Sequence, residues 1–276
     1  MSLKQALSHA RGILAQGNIE DSPLEGELLL RHALGISRTQ LYLDLDHKLS
    51  PKQYEAFWHL VERRLGGEPT AYITGHCEFY GLDFYVDPRV LIPRPETELL
   101  VAETLTLAQN RWIGTIAEVG TGSGAIAISL ALELPETKIY ASDISTTALE
   151  VALINCQRHG VLDRVYLLQG DMLDPIPEPV DLIIANLPYV RRLQLAGVRS
   201  EPLLALDGGR DGVKNIRRLC RKVGSKLRSG GSLLLEIGQG QGGVVIALLS
   251  RLFPNSKIRL IPDLSGIERV VSLSLA

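Results

Sequence analysis

The sequence predicts an α/β protein in which a doubly wound, seven-stranded sheet follows a small N-terminal helical domain, with a β-hairpin joining the two. Three observations carry this. Beyond Trp112, short β-rich runs alternate with helical stretches; the first run ends in the alternating glycines Gly120, Gly122 and Gly124; and the first 70 or so residues show helix punctuation without a strand pattern.

Ser22-Pro23-Leu24-Glu25 reads as a capping box with proline at the first helical position, opening a helix that carries Leu24, Leu28 and Leu29 on one face and stops near Gly35. Ser50-Pro51-Lys52-Gln53 repeats the device, with Leu49 and Tyr54 placed for a hydrophobic staple. Tyr54, Phe57, Trp58, Val61 and Leu65 then keep helical spacing up to Gly66-Gly67. From Cys77 the period changes. Cys77–Tyr80 and Phe84–Val86 flank Gly81-Leu82-Asp83 as a hairpin, and Pro95 opens a helix whose first turn holds Glu96 and Glu98, where the helix dipole favours carboxylates. The expected domains are 1–75, helical; 76–95, hairpin linker; and 96–276, the sheet domain. In the last, strands are expected at Thr115–Val119, Lys138–Ser142, Val165–Gln169, Asp181–Ala185, Ser232–Ile237, Ile258–Ile261 and Arg269–Leu273. Helices are expected at Ala125–Leu134, Thr146–His159, Val213–Leu227 and Gly243–Leu252. In such a sheet ligands sit beyond the carboxyl ends of the strands, and the site is sought there.

With 276 residues, 45% hydrophobic and 22% charged, the chain suits one large or two ordinary domains and lies outside the regime of disorder. Apolar runs such as Leu182–Ala185 are far shorter than the roughly 20 residues that cross a bilayer. Met1-Ser2-Leu3-Lys4-Gln5 lacks the layout of a signal peptide, so a cytoplasmic protein without membrane association is expected. Three cysteines without a C-x-x-C pair suggest neither a disulfide framework nor a thiolate zinc site, and the six histidines form no H-E-x-x-H, so no metal is expected. The formal charge of −2 argues against a dedicated nucleic-acid binder. One stretch departs from that balance: 189–228 holds 11 Lys/Arg against 3 Asp/Glu. Yet Val213, Ile216, Cys220, Val223 and Leu227 form an apolar stripe with Lys214, Arg217, Arg218 and Arg221 opposite. That favours a solvated helix face over a surface for RNA or an acidic partner.

Four strand ends carry candidate chemistry. Glu118-Val119-Gly120-Thr121-Gly122-Ser123-Gly124-Ala125 turns strand into helix with glycines that accept positive φ and let N–H groups approach a ligand; it also satisfies the permissive G-x-G-x-x-G/A dinucleotide pattern. Asp143 ends the second strand 19 residues after Gly124 and suits the two hydroxyls of a ribose, or else caps the helix near Thr146. Together they indicate a nucleoside cofactor. In Gly170-Asp171-Met172, Asp171 can accept from an adenine amine while Met172 packs on the ring. The fourth strand ends in Asn186-Leu187-Pro188-Tyr189. A planar amide or aromatic amine nitrogen is a poor nucleophile because its lone pair is delocalised. The Asn186 side-chain oxygen and the Leu187 carbonyl are acceptors able to take both hydrogens of an –NH₂ group and aim its lone pair at an electrophile. Pro188 would stiffen the turn and Tyr189 would stack on the flat group. Such a clamp fits a side-chain amide and an aromatic amine equally.

These strand ends resemble those of class I S-adenosylmethionine-dependent methyltransferases, whose sheet is Rossmann-like, and the fourth resembles the N/D-P-P-Y/F/W motif of amino-group methyltransferases. Ile92-Pro93-Arg94-Pro95-Glu96-Thr97-Glu98, the hairpin before it, Glu201-Pro202, Gly208-Gly209, Asp211-Gly212 and Asp263-Leu264-Ser265-Gly266-Ile267-Glu268-Arg269 extend the resemblance, over nearly the whole chain, to the HemK/PrmC family of release-factor glutamine N5-methyltransferases. The resemblance implies S-adenosyl-L-methionine as methyl donor and S-adenosyl-L-homocysteine as product. The implied substrate is the Gly-Gly-Gln glutamine of class I peptide chain release factors, gripped by the helical domain. By the same resemblance Glu118, Gly120, Thr121, Gly122, Ser123 and Gly124 hold the methionine part, Asp143 the ribose, and Asp171 with Met172 the adenine. Asn186, Leu187, Pro188 and Tyr189 present the amide, Asn186 also meeting the cofactor. A monomer with no obligatory nucleic acid is expected. The chain departs from the family at Leu187, where Pro is usual, so the carbonyl survives in a less rigid turn; Glu118 stands where Asp is frequent and keeps the carboxylate. Asn-Leu-Pro-Tyr also occurs in rRNA adenine dimethyltransferases, which makes an adenine N6-methyltransferase acting on RNA or DNA the alternative.

Overall fold

In a computed structural model that describes residues 1–197 and 200–276, the chain forms two compact units, Met1–His76 and Cys77–Ala276. Arg199 of the basic stretch lies outside the described residues.

The first unit holds α1 (Leu3–Gln16), α2 (Ser22–Leu34), α3 (Arg38–Leu43), α4 (Pro51–Leu65) and α5 (Thr70–Thr74). Ser2, Ser37 and Ser50 each accept from the N–H three residues on while Gln5, Gln40 and Gln53 reach back, so α1, α3 and α4 all begin with reciprocal caps. At α2 the expected capping box is absent. Asp21 takes the cap position and Pro23 the second helical residue, and the Glu25 carboxylate is engaged instead by Arg64 and by the Thr70 hydroxyl (2.5 Å). Leu24 is exposed, while Leu29 and Leu30 join Leu14, Leu41 and Phe57 in the core. Gly35 ends α2 in the left-handed conformation, as expected of a C-terminal glycine.

The second unit opens with the hairpin β1 (Cys77–Phe79) and β2 (Leu82–Phe84). Phe79 lies opposite Leu82, so the turn is Tyr80-Gly81 and not Gly81-Leu82-Asp83. Tyr80 (φ +53°) and Gly81 (φ +71°) supply the two positive-φ residues of a tight hairpin turn, and the Tyr80 N–H donates to Glu98 (2.8 Å). Phe79 and Phe84 are buried with Leu100 and Ile116, which makes the hairpin part of this unit's core. A 3₁₀ turn at Pro95–Thr97 leads into α6 (Glu98–Asn110).

Strands and helices then alternate: β3 (Thr115–Val119), α7 (Ala125–Glu133), β4 (Lys138–Asp143), α8 (Thr146–His159), β5 (Val165–Gln169), β6 (Val180–Ala185), α9 (Leu203–Leu206), α10 (Lys214–Val223), β7 (Leu227–Glu236), α11 (Gly242–Leu252), β8 (Lys257–Pro262) and β9 (Glu268–Ser274). The sheet order is β5-β4-β3-β6-β7-β9-β8, parallel except for β9, which runs antiparallel to both its neighbours. Alternation along each strand divides the core. Ile183 and Ala185 pack on the face of α10 and α11, and Leu182 and Ile184 on the face of α6 and α7. Burial on both faces explains the unbroken apolar run of β6. The expected helix to Leu227 stops at Val223, because Gly224 follows and Leu227 already begins β7. Ile216, Leu219, Cys220 and Val223 of α10 are buried while Lys214, Arg218 and Arg221 are exposed, as a solvated face requires. No helix among the described residues is long and apolar enough to cross a membrane.

The sheet reverses its order between β3 and β6, which opens a crevice at their carboxyl ends.

Candidate active site

That crevice is a cleft of about 800 Å³ lined by Glu118, Gly120 to Ser123, Asp143, Asp171, Met172 and Asn186 to Pro188, together with Thr97 and Arg94. Four strand ends distant in sequence meet there.

At the β3 end, Gly122 (φ +55°) and Gly124 (φ +83°) hold left-handed conformations that carry the chain from strand to α7. No atom lies within 4 Å of where a Gly122 Cβ would stand, so its backbone faces open space. Glu118 lies beneath the loop, 1% exposed, accepting from the Thr121 hydroxyl (2.7 Å) and the Ala127 N–H (3.1 Å). Burial pushes its carboxyl up to about 8, with the Asp143 charge adding to that, against the pull of those two donors.

Asp143 accepts from the Ser145 N–H on one oxygen and the Gly122 N–H on the other, both at 2.9 Å. Its pKa is raised by burial, opposed by those backbone donors. It does not cap α8: the Ser145 hydroxyl does, accepting from the Ala148 N–H. Asp143 therefore ties the glycine loop to β4 and keeps further lone pairs on a cleft-lining carboxylate. A cleft-facing glycine backbone beside such a carboxylate fits the hydroxyls of a nucleoside.

At the β5 end Met172 takes φ +55° and lines the cleft while 8% exposed. Asp171 is paired, one oxygen meeting Arg218 (2.6 Å) with Lys222 beyond it (3.8 Å).

The β6 end is held by a chain of hydrogen bonds. The Asn186 amide nitrogen donates to the Thr97 hydroxyl (3.0 Å), Thr97 donates to Glu236 (2.6 Å), and the Tyr189 hydroxyl donates to the other Glu236 oxygen (3.2 Å). Burial raises the Glu236 pKa, opposed by Thr97, Tyr189 and Arg269, and burial beside Glu236 raises that of Tyr189. Among the described residues no donor reaches the Asn186 side-chain oxygen or the Leu187 carbonyl. Leu187 is buried with its side chain against Gly120, and the Pro188 carbonyl accepts from Asn215. Tyr189 is placed differently from the expected stacking role: its ring lies over Gly238, its hydroxyl serves Glu236, and Asn186, Leu187 and Pro188 line the cleft without it.

Thr97 and Glu236 escape a reading by spacing, being 139 residues apart, although a lone acid ending the buried run Leu233–Leu235 is itself a signal. The whole segment 94–98 is tied to distant partners: Arg94 to Glu201, Glu96 to Arg269 (3.7 Å), Thr97 to Glu236 and Glu98 to Tyr80. Two unclaimed acceptors at a strand end, on residues that line a cleft with nucleoside-compatible groups, can hold an –NH₂ group for attack on an electrophile.

Residues 5–75 match the family described as PrmC N-terminal domain, and residues 96–204 the one described as methyltransferase small domain. The chain is 44% identical to the release factor glutamine methyltransferase of Moorella thermoacetica, over 98% of this chain and 97% of the relative. It is 38% identical to that of Geobacter sulfurreducens, over 98% and 95%. Among solved structures it is similar to a methyltransferase from Pyrococcus furiosus (TM-score 0.52, 17% identity, 71% of this chain and 90% of that one). A ribosomal protein L11 methylase from Lactobacillus delbrueckii subsp. bulgaricus is comparably similar (0.51, 21%, 69% and 83%). At these identities the structural likeness speaks for the fold, the class I methyltransferase sheet.

Proposed function

This chain belongs to the release factor glutamine methyltransferase family, uses S-adenosyl-L-methionine, and, we propose, methylates N5 of the Gly-Gly-Gln glutamine in class I peptide chain release factors. The observation that carries the reading is the full-length likeness to release factor glutamine methyltransferases; the pair of unclaimed acceptors, Asn186 Oδ1 and the Leu187 carbonyl, supplies a site for the –NH₂ group.

When bound, S-adenosyl-L-methionine supplies an electrophilic sulfonium methyl. Asp143 would hold its ribose hydroxyls, the glycine loop with Glu118 its methionine part, and Met172 its adenine; Asp171 serves there with its free oxygen, since Arg218 engages the other. Asn186 and Leu187 accept the two amide hydrogens, turning the nitrogen lone pair out of conjugation and toward the methyl. No base is needed beforehand, because the nitrogen becomes acidic once alkylated. Leu187 stands where proline is usual; it keeps the carbonyl, and its side chain is buried against Gly120. Tyr189 acts by holding Glu236, not by stacking. The helical unit grips the release factor, and the enzyme works as a cytoplasmic monomer without obligatory nucleic acid.

The test is mass spectrometry of a purified release factor incubated with this protein and S-adenosyl-L-methionine, then digested. A gain of one methyl mass on the Gly-Gly-Gln glutamine is expected. Label entering RNA or DNA in its place would overturn the substrate reading.

A further inference from the structure

An asparagine amide can show a cleft either its oxygen or its nitrogen, and only the oxygen can receive the hydrogens of an –NH₂ group. The choice at Asn186 is made by Thr97, which lines the cleft, and by Glu236, which does not. Glu236 is 1% exposed at the end of β7 and uses one oxygen for Tyr189 and the other for Thr97. A hydroxyl carries a single proton. Thr97 gives its proton to Glu236 at 2.6 Å, retains only lone pairs, and can therefore meet only the nitrogen side of Asn186, as it does at 3.0 Å. The oxygen of Asn186 is left toward the cleft by elimination.

We propose that Thr97 and Glu236 are positioning residues: the buried carboxylate polarises the Thr97 hydroxyl in one direction, and that direction locks the Asn186 amide with its acceptor facing the substrate. The proposal rests on the reading of Asn186 as the amide clamp. It predicts something a merely structural role does not, because the isosteric change Glu236→Gln keeps volume and packing yet reverses the logic. A glutamine amide at 236 can donate to Thr97, whose proton is then free for the Asn186 oxygen, and the flipped Asn186 would present N–H groups to a substrate that also presents N–H groups.

The variants Glu236→Gln, Thr97→Val and Thr97→Ser would be compared with the wild-type protein on a purified release factor, following kcat, KM, S-adenosyl-L-methionine affinity by calorimetry, and thermal unfolding. Glu236→Gln and Thr97→Val should lower kcat about 10- to 100-fold, the worth of one hydrogen bond to a charged group, with cofactor affinity unchanged. Thr97→Ser, which keeps the hydroxyl, should stay within a few-fold of wild type. A second readout is independent of turnover. In the wild type the Asn186 side-chain NH₂ should show nuclear Overhauser contacts to the Thr97 γ-methyl, and in Glu236→Gln these should be lost. Wild-type kcat in Glu236→Gln, or a Thr97→Ser variant as impaired as Thr97→Val, or persistent Overhauser contacts in Glu236→Gln, would overturn the proposal. A wild-type enzyme inert toward release factors would instead overturn the substrate reading, with the orientation still judged by the Overhauser contacts.

Discussion

The two ends of the cleft are built by different means. At the part of the cofactor end built on β3 and β4 the hydrogen bonds of the two carboxylates are local: Glu118 to Thr121 spans 3 residues, Asp143 to Ser145 spans 2, and Asp143 to Gly122 spans 21, whereas Asp171 at the β5 end meets Arg218 across 47. At the acceptor end Asn186 to Thr97 spans 89 residues, Thr97 to Glu236 spans 139 and Tyr189 to Glu236 spans 47. Most of the first end is backbone meeting carboxylate; the second is side chain meeting side chain. The first set of bonds needs only β3, α7 and β4 in place, whereas the acceptor end needs the segment before α6 and the end of β7 both set against β6. The two functions should accordingly separate under mutation.

Asn186→Ala is the largest separation expected. It removes the acceptor that orients the amide, and kcat should fall roughly 10²- to 10³-fold, the scale of losing one preorganised polar group at the reacting atoms. Cofactor affinity by calorimetry should change little. A variant that binds cofactor and methylates at the wild-type rate would show that the clamp is not what activates the nitrogen.

Asp143→Ala is the mirror image. One hydrogen bond to the carboxylate holds the glycine loop and a second holds the turn into α8, and the ribose would add more, so cofactor Kd should weaken about 10- to 100-fold, while kcat at saturating cofactor is largely kept. A fall in saturated kcat matching the loss of affinity would mean the two ends are one mechanical unit, contrary to the hydrogen-bond map.

The same division governs what can be read from the chain. β3 and β5 lie at their expected bounds because alternation and flanking turns are local signals, and the glycine loop with Asp143 is legible for the same reason. The Ser-x-x-Gln signature seen at Ser50 is equally present at Ser2 and Ser37, where it also opens helices. At Ser22 the pattern misleads, since Glu25 finds a stronger partner in Arg64 on another helix, and tertiary pairing outcompetes a cap. The turn at Tyr80-Gly81 is hidden because a tyrosine rarely takes positive φ and is held there by donating its N–H to Glu98. Thr97, Glu236 and the inward turn of Tyr189 are long-range facts, and no spacing encodes them.

The third expectation concerns pH and bears on the cofactor end alone. The Glu118 carboxyl is raised by folding, from an ordinary 4.5 to about 8. The unfolded chain releases that proton first, so the group's contribution to stability is full below 4.5 and is lost as pH rises through 8. Glu118→Gln should flatten that decline, which urea unfolding at pH 5 and pH 8 would measure. A cationic amine bound beside Glu118 draws the pKa down, so cofactor binding should release a proton, and affinity should rise by at most about tenfold per pH unit toward pH 8. Equal pH dependence in Glu118→Gln would assign the effect to another group.

The smallest effect is the cleanest probe of the comparison. Gly122 holds φ +55° with nothing within 4 Å of a Cβ position, so Gly122→Ala brings no clash and tests backbone conformation alone. The left-handed region should cost about 1–2 kcal/mol, read as a lower thermal midpoint or as a loop shifted off its geometry with weaker cofactor binding. Gly124→Ala should cost more, because its Cβ would lie 3.0 Å from Ile128. Neither should alter kcat once cofactor is saturating, since no bond of the Asn186 network passes through the loop. If Gly122→Ala did lower saturated kcat, the contact of Leu187 against Gly120 would be the route, and the acceptor end would prove to lean on the local loop through that one packed side chain.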